Sequence, residues 1–116
     1  MKIPEDGALL RIFIGESDRW HGKPAYEAIV LAAREAHLAG ATVFHGSMGF
    51  GAKSRLHTAK ILRLSEDLPI LIEIVDTEEK IRAALPRFDA LLGEAGCGGL
   101  ITLERADIIK YTHGTS

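Results

Sequence analysis

The residues best suited to binding follow two glycines, Gly49 and Gly51, in the stretch GSMGFGAKSRLHTAKILRLSEDLP. Glycine lets a backbone approach a ligand closely or adopt a positive φ. The side chains that follow are cationic or imidazole groups: Lys53, Arg55, His57, Lys60 and Arg63. They predict a loop that contacts an anionic ligand or an acidic partner. The alternative is a solvated charged face, since Glu66 and Asp67 partly neutralise the cations.

A second group of glycines, Gly96, Gly98 and Gly99, surrounds Cys97 in the stretch GEAGCGG. Consecutive backbone amides in such a segment can form a concave site for phosphate. Without a lysine beside them, the same glycines could also be a flexible connector between a helix and a strand. Cys97 is the single cysteine, which excludes an intramolecular disulfide and a CxxC motif. We therefore expect a reducing cytoplasm as the location.

Other chemistries find little support in the sequence. The sequence has five histidines: His21, His37, His45, His57 and His113. Their spacing is not that of a strong metal site. Carboxylates and histidines form no recognisable pair of catalytic acids or of nucleophile and base, and Cys97 has no assigned base. The sequence therefore predicts a protein that is not an enzyme and has no catalytic residues, no metal site and no certain cofactor.

Length and charge limit the possible partners. The 116 residues fit a single domain, with a core of about 7–111 and a flexible tail at 112–116. The 14 basic and 16 acidic residues give a net charge of -2, and aromatic residues do not follow an RNA-binding pattern, so we expect no nucleic-acid partner. No apolar run approaches the ~20 residues of a membrane span, and the N-terminus lacks the apolar core of a signal peptide, so we expect no membrane insertion.

Hydrophobic periodicity predicts the elements that position these residues. The predicted strands span residues 8–14, 41–48, 69–75 and 98–105, followed by a short extended piece at 106–111. One predicted helix begins at Pro24 and stops at Gly40, and the other begins with a capping box of Asp76 and Glu79 and stops at Gly93. Pro86 lies within the second helix and predicts a kink or a break there.

The order strand, helix, strand, strand, helix, strand predicts an α+β, ferredoxin-like sandwich. Both helices would cover one face of a four-stranded antiparallel sheet whose first and third strands are central. The open face would carry either Leu9 and Phe13 or Leu10 and Ile12, and such a face favours self-association. We expect Arg11 to pair with an acidic residue such as Glu73, or to reach a subunit interface. Trp20 is expected to pack against the core.

Several segments together resemble a known family: LLRIFIGESDRW, GATVFHGSMGFG, SRLHTAKILRLSEDLPILIEIVDTEEKI and DIIKY. They are similar to the family called domain of unknown function 190, a branch of the PII-like superfamily, over about residues 7–111. The resemblance implies a trimer whose sheets enclose a central core. It also implies that small ligands, commonly adenine nucleotides, bind in clefts between subunits, and that a long T-loop docks a partner protein.

The resemblance also implies particular site residues. Thr42 matches the threonine that contacts the base, and Gly49, Phe50 and Gly51 match the hinge of the T-loop. Gly96, Gly98 and Gly99 match the phosphate-binding B-loop, and Lys110 matches the first arginine of the C-terminal loop. The usual acidic residue and lysine of the B-loop are replaced by Cys97 and Gly99, and Thr112 replaces the second arginine. These losses favour a mono- or dinucleotide, or another anion, over ATP.

The leading function is therefore a regulatory one. A ligand at an inter-subunit cleft would change the order of residues 52–68, and the 49–68 loop would bind or release a target such as a membrane transporter or channel. The first alternative is a trimer that binds divalent metals, like the related cation-tolerance proteins, with His45 or His57 as candidate ligands. The remaining alternative is a small enzyme.

Overall fold

A computed structural model describes residues 5–50, 68–112 and 114 of the chain. The strands are β1 (Glu5–Gly15), β2 (Arg19–Trp20), β3 (Lys23–Pro24), β4 (Thr42–His45), β5 (Pro69–Thr77) and β6 (Leu100–Ile108). The helices are α1 (Ala25–Glu35) and α2 (Glu78–Ala95). The main sheet is antiparallel in the order β4-β5-β1-β6, which confirms the predicted fold with the first and third core strands at its centre.

The core lies between the two helices and one face of the sheet. Along β1 the alternation predicted from the sequence buries Ala8, Leu10, Ile12 and Ile14, while Leu9, Arg11 and Phe13 face the other side. The central strand β5 repeats this pattern with buried isoleucines at 70, 72 and 74. Burying one such side chain contributes about 1.5–3 kcal/mol, so these two strands anchor the domain. The open face therefore carries Leu9 and Phe13, the first of the two predicted registers.

Helix α1 ends earlier than predicted, because His37 and not Gly40 adopts the left-handed conformation that terminates it. His37 has φ 59°, and its N–H bonds to the Arg34 carbonyl at 3.0 Å. The Leu38 N–H reaches the Ala33 carbonyl at 3.1 Å, and the Leu38 side chain is buried. This is a Schellman ending, in which a buried apolar residue follows the left-handed one. Burial of Leu38 therefore overrides the local preference for glycine.

Helix α2 begins one residue later than the predicted capping box and ends later than predicted. Thr77 is its N-cap and accepts a hydrogen bond from the Lys80 N–H at 3.3 Å. The helix is continuous through Pro86, so the break that we predicted as one outcome does not occur; Pro86 lies on the exposed side, where water can satisfy the freed carbonyl. Gly96, with φ 67°, ends the helix in place of Gly93.

The strand boundaries differ from the predictions at β4 and β6. Strand β4 stops at His45, and one further backbone bond joins the Gly46 N–H to the Pro69 carbonyl at 2.8 Å. Pro69 has no N–H to continue the ladder, which accounts for the short strand. Strand β6 extends to Ile108 and absorbs part of the predicted extended piece.

The short hairpin of β2 and β3 was not predicted. His21 and Gly22 both have positive φ, as a tight two-residue hairpin turn requires. Trp20 packs against the core from this hairpin, as predicted, and its indole N–H donates to Glu94 Oε2 at 2.9 Å.

Candidate ligand-binding cleft

The described part of the chain forms a cleft of about 1450 Å³, which we call the C-terminal cleft. It lies between residues 109–112, the turn that joins α1 to β4, and the junction of β5 and α2. The Tyr111 hydroxyl donates to the Ala39 carbonyl at 3.2 Å and so holds the segment after β6 against this turn. The cleft therefore depends on a chain segment that returns across the end of the sheet.

One buried carboxylate holds the floor of the cleft together. Asp76 is only 7% exposed, and its two oxygens accept the Ala39 N–H at 2.8 Å and the Thr77 N–H at 2.6 Å. The Lys80 ammonium lies 3.8 Å from this carboxylate and donates to the His37 carbonyl at 3.0 Å. The end of α1 and the start of α2 are thus fixed to each other. A carboxylate with two backbone donors and a nearby cation is a stable way to bury a charge.

The charges that line the C-terminal cleft leave a local positive excess. Its cations are Arg34, Lys80 and Lys110, and its carboxylates are Glu73 and Asp76. Glu73 is paired with Arg11 at 3.0 Å, and Asp76 lies near Lys80. Within residues 5–50 and 68–112, no carboxylate makes an ion pair with Arg34 or Lys110. An anion that enters the cleft therefore meets Arg34 and Lys110, which no carboxylate of the described residues neutralises.

The remaining lining is mostly apolar. Val75, Ile109 and the aromatic ring of Tyr111 are exposed at its surface, and Leu38 and Ala41 lie deeper. Ligand sites commonly combine apolar walls with a few polar groups that fix orientation. The C-terminal cleft has this composition and suits a ligand with an apolar part and an anionic part.

The structure brings two of the predicted ligand-binding residues together. Thr42 begins β4 at one wall of the C-terminal cleft, and Lys110 follows β6 at another wall. These residues are 68 positions apart in the sequence, and the return of the C-terminal segment places them in one site.

The other described candidates lie at the opposite end of the sheet. Gly49 is close to Pro69, which pairs with Gly15 at the end of β1. Gly99 lies beside the Phe13 carbonyl and Ile14, on the other side of that strand end. Thr42 pairs with Glu73, four residues further along β5 than Pro69, or about 13 Å along a strand. Within a single chain, the described glycines of both groups therefore lie at the opposite end of the sheet from Thr42 and Lys110 and do not form one site with them.

The other predicted site residues lie at the end of α2, before β6 and at the end of the described segment after β4. Gly96 forms the end of α2, Gly98 lies between this helix and β6, and Phe50 is exposed at the end of the described segment. Gly51 lies outside the described residues. The same is true of the predicted partner-binding residues Lys53, Arg55, His57, Lys60 and Arg63.

Sequence reasoning missed several residues of the C-terminal cleft: Arg34, His37, Lys80 and Tyr111. Arg34 and His37 come from the end of α1, and Lys80 comes from the first turn of α2. Periodicity placed Arg34 and Lys80 outside the apolar stripes of the helices and gave no reason to place the two helix ends together. The aromatic ring next to Lys110 was a usable signal for Tyr111.

The open face of the sheet is a second candidate for a functional surface. An apolar row crosses all four strands through the register partners Phe44, Leu71, Phe13 and Leu100. Phe13 is 38% exposed, Phe44 46% and Leu100 57%. The neighbouring row contains Arg11, which contacts both Glu73 and Glu104, so the predicted pairing of Arg11 is confirmed. Side chains this large, exposed in one continuous row, are typical of an interaction surface.

The described residues give no support to a metal centre. No group of three or more potential ligands lies close enough together among them, and His57 lies outside them. His45 lies 3.5 Å from Glu16 and edge-on to the ring of Tyr26 at the end of β4. None of the described helices is both long and apolar enough to cross a membrane.

The sequence matches a family model over most of its length. The model is DUF190, described as "Uncharacterized ACR", and it matches residues 7–108. A UPF0166 protein of Aquifex aeolicus is 40% identical over 101 residues, which cover 87% of this chain and 91% of the relative.

Solved structures share the fold at low sequence identity. CPII of Thiomonas intermedia K12, a nitrogen regulatory PII-like protein bound to ADP, AMP and bicarbonate, superposes with a TM-score of 0.66 at 15% identity and covers 92% of both chains. A putative PII-like signalling protein of Thermus thermophilus superposes with a TM-score of 0.58 at 15% identity and covers 93% of this chain and 94% of that chain. The fold is thus that of PII-like proteins.

Proposed function

Since this chain belongs to the DUF190 family, and its fold is that of PII-like proteins, we propose that it is a regulatory protein that binds a small anionic ligand. An adenine nucleotide is the leading candidate. The protein acts by binding and not by catalysis, in the cytoplasm, as a component that reports ligand concentration to a partner.

The observation that carries this proposal is the presence of Thr42 and Lys110 in one cleft that has a positive excess. Thr42 matches a base-contacting threonine of PII proteins, and Lys110 matches a phosphate-binding arginine. Their shared cleft also contains exposed apolar side chains, which suit a nucleobase. CPII, which has the same fold, was solved with ADP and AMP bound, and this supports an adenine nucleotide as the ligand.

The proposed assembly is a homotrimer formed through the open face of the sheet. Covering the apolar row of Phe44, Leu71, Phe13 and Leu100 would remove exposed hydrophobic area from water. The assembly also serves the ligand, because the glycines at 49 and at 96–99 lie at the other end of the sheet from Thr42 and Lys110. Only a neighbouring subunit could bring the two groups to the same ligand.

The proposed output is a protein partner that docks on the 49–68 loop. Its cations suit an acidic surface, and a membrane transporter or channel is one class of target. Ligand binding would act on this loop through residues 46–49, which contact the first residue of β5. Deletion of residues 53–65 should preserve the oligomer and abolish partner binding, and loss of the oligomer would instead assign the segment a structural role.

The test is a panel of ligands on a preparation whose mass is measured by light scattering. The panel contains AMP, ADP, ATP, cyclic dinucleotides, S-adenosylmethionine and divalent metals, and binding is measured by thermal shift and calorimetry. We expect a trimer that binds AMP or ADP more tightly than ATP, since Gly99 and Thr112 stand where a lysine and an arginine would bind a triphosphate. A monomer would refute the assembly, and a trimer that binds nothing in the panel would leave only the scaffold.

A further inference from the structure

The hairpin of β2 and β3 is held against the domain at several points. The Trp20 indole N–H donates to Glu94 Oε2 at 2.9 Å, and the Trp20 ring packs against the core. The ring of His21 stands edge-on to the indole, with 4.3 Å between the ring centroids. At the base of the hairpin, the Ala25 N–H donates to the Asp18 carbonyl at 2.8 Å. The hairpin is therefore a fixed projection from the domain.

The carboxylates around this hairpin are used within the domain. Asp18 Oδ2 accepts the Gly15 N–H at 2.8 Å. Glu16 lies 3.5 Å from His45, and Glu94 accepts the indole N–H. Each of these three acidic side chains thus has an internal contact that holds it.

The two cations of the hairpin, Arg19 and Lys23, are exposed and lack such contacts. Within residues 5–50 and 68–112, no carboxylate makes an ion pair with either of them. Lys23 pairs in register with Trp20, and Arg19 pairs with Pro24, so the two cations lie on opposite faces of the hairpin. Cations placed in this way do not converge on one small anion, but an extended acidic chain that crosses the hairpin can contact both.

The hairpin lies at the end of the sheet where the 49–68 loop begins and ends. It follows β1 directly, and Gly15 at the end of β1 is the register partner of Pro69. The Glu16 N–H donates to the Leu68 carbonyl at 2.8 Å, and Gly49 is close to Pro69. A partner that docks on the 49–68 loop is therefore next to the hairpin.

We propose that the β2–β3 hairpin is part of the docking surface for the partner protein and contacts an extended acidic segment of that partner. The inference rests on the proposed function and names the chemistry of its partner. Positive charge on the hairpin attracts the acidic segment, and Arg19 and Lys23 then pair with its carboxylates. Because the hairpin is already held in place, little conformational entropy is lost there on binding.

The fixed position of Trp20 argues against nucleic acid and membrane as partners of this hairpin. An indole that packs on the core and donates to Glu94 is not free to stack on a nucleobase or to enter a bilayer interface. Recognition of a membrane by charge alone takes clusters of about 4–8 lysines and arginines, and the hairpin supplies two. A protein segment is the partner that these features favour.

The experiment measures binding of a short poly-glutamate peptide to the full chain. Anisotropy of the labelled peptide gives the affinity. Trp20 is the single tryptophan of the sequence, so its fluorescence reports on the hairpin itself. The comparison probes are a Gly-Ser peptide of the same length, phosphatidylserine vesicles and single-stranded RNA.

The variants are Arg19→Gln, Lys23→Gln and the double variant, which remove charge and keep a long polar side chain. The matched control is Arg87→Gln, since Arg87 is an exposed arginine on α2, outside the hairpin. Circular dichroism and light scattering check that each variant keeps the fold and the mass of the wild type.

We expect the wild type to bind poly-glutamate with a change in Trp20 fluorescence, to lose affinity as salt is added, and to ignore the Gly-Ser peptide. Each single variant should weaken poly-glutamate binding about threefold and the double variant about tenfold, as expected for exposed ion pairs. Arg87→Gln should bind as the wild type does.

Three results would overturn the inference. The first is a double variant that binds poly-glutamate as tightly as the wild type. The second is a wild type that binds the Gly-Ser peptide equally well, or binds neither peptide. The third is tighter binding of vesicles or RNA than of poly-glutamate, lost in the double variant, which would assign the hairpin to that partner instead.

Deletion of residues 53–65 separates this inference from the proposed function. If the double variant binds poly-glutamate normally but the deletion abolishes binding, the loop alone docks the acidic partner and the proposed function stands. If the deletion leaves binding unchanged and the double variant abolishes it, the hairpin is the docking surface and the proposed role of the loop fails.

Discussion

Arg11 Nε donates to Glu73 Oε2 at 3.0 Å, between register partners of the two central strands. A second contact, from Nη1 to Glu104 Oε1 at 2.7 Å, extends the network to the edge strand β6. The hydrogen bond to Glu73 raises the pKa of Arg11 above its ordinary value, against the opposing effect of burial. Arg11 thus connects three of the four strands on the open face.

Replacement of Arg11 by Gln should lower the thermal midpoint more than replacement of Arg82 by Gln. Arg82 makes a comparable bridge to Glu78, at 2.7 Å, but both partners are well exposed on a helix. Loss of Arg11 leaves two carboxylates without their cation, one of them the half-buried Glu73. Scanning calorimetry at one protein concentration compares the variants, and equal midpoints for the two would contradict the importance of this network.

The effect of Arg11 should not depend on pH near neutrality. A raised folded-state pKa contributes stability at every pH below the unfolded value, and this contribution is lost only as the pH rises through the folded value. Both values for arginine lie far in the alkaline range. The difference in midpoint between wild type and Arg11→Gln should therefore stay constant from about pH 6 to about pH 9. A steady change across this range would mean that another titrating group controls the network.

Asp76 should be important for stability because it is the buried acceptor for two backbone donors. Asp76→Ala leaves the Ala39 and Thr77 N–H groups without this partner, and we expect a loss of about 1–3 kcal/mol in the free energy of unfolding. The matched control is Asp89→Ala on the exposed side of α2, with an expected change within about 0.5 kcal/mol. Urea denaturation at one protein concentration measures both, and equal losses would refute the role of Asp76.

Sequence periodicity predicted the fold well, because the fold is determined mainly by which apolar side chains are buried. Alternation along 8–14 and 69–75 identified the two central strands, but it left open which face of the first strand is buried, because both faces are mostly apolar. The helix ends were less predictable, since His37 and Thr77 gain their terminal roles from the burial of Leu38 and from the tertiary bonds of Asp76. A local rule for glycine or for a capping box does not include such long-range partners.

The C-terminal cleft was predicted only in part, for a related reason. Thr42 and Lys110 were found through family resemblance, whereas Arg34 and Lys80 resemble any surface cation on a helix. Residues 109–112 return across the end of the sheet, and this return places Lys110 in the same cleft as Thr42, Arg34 and Lys80. No periodic pattern specifies the path of a segment that lacks regular structure.

Gly46 should be important for the junction between β4 and the loop that follows it. A Cβ at this position would lie 2.5 Å from Pro69 Cγ, and the proline ring has little freedom to move. We expect Gly46→Ala to lose about 1–3 kcal/mol of stability, as overpacking does. Gly40→Ala is the matched control, since a Cβ there meets no atom within 4 Å. Chemical denaturation distinguishes the two, and a stable Gly46→Ala variant would mean that this junction adapts easily.

The open face offers the most decisive test of assembly. Phe13 lies inside the apolar row of Phe44, Leu71, Phe13 and Leu100, so a charge there would have to be desolvated in any sheet-to-sheet contact. We expect Phe13→Glu to be a folded monomer by light scattering and circular dichroism. Leu31→Glu is the matched control, because Leu31 is also a large exposed apolar residue, but it lies on α1. The oligomer mass of the Leu31→Glu variant should equal that of the wild type.

The same variant also separates the two halves of the proposed ligand site. In a monomer the glycines at 49, 96, 98 and 99 of a neighbouring subunit are lost, but Thr42 and Lys110 remain because one chain supplies both. We therefore expect monomeric Phe13→Glu to bind AMP more weakly than the wild type, and to lose further affinity when Lys110→Gln is added. If Phe13→Glu keeps the mass of the wild type, the open face is not the subunit interface. If the monomer binds AMP at wild-type affinity, the neighbouring subunit contributes nothing to the ligand, and the cleft of a single chain is the whole site.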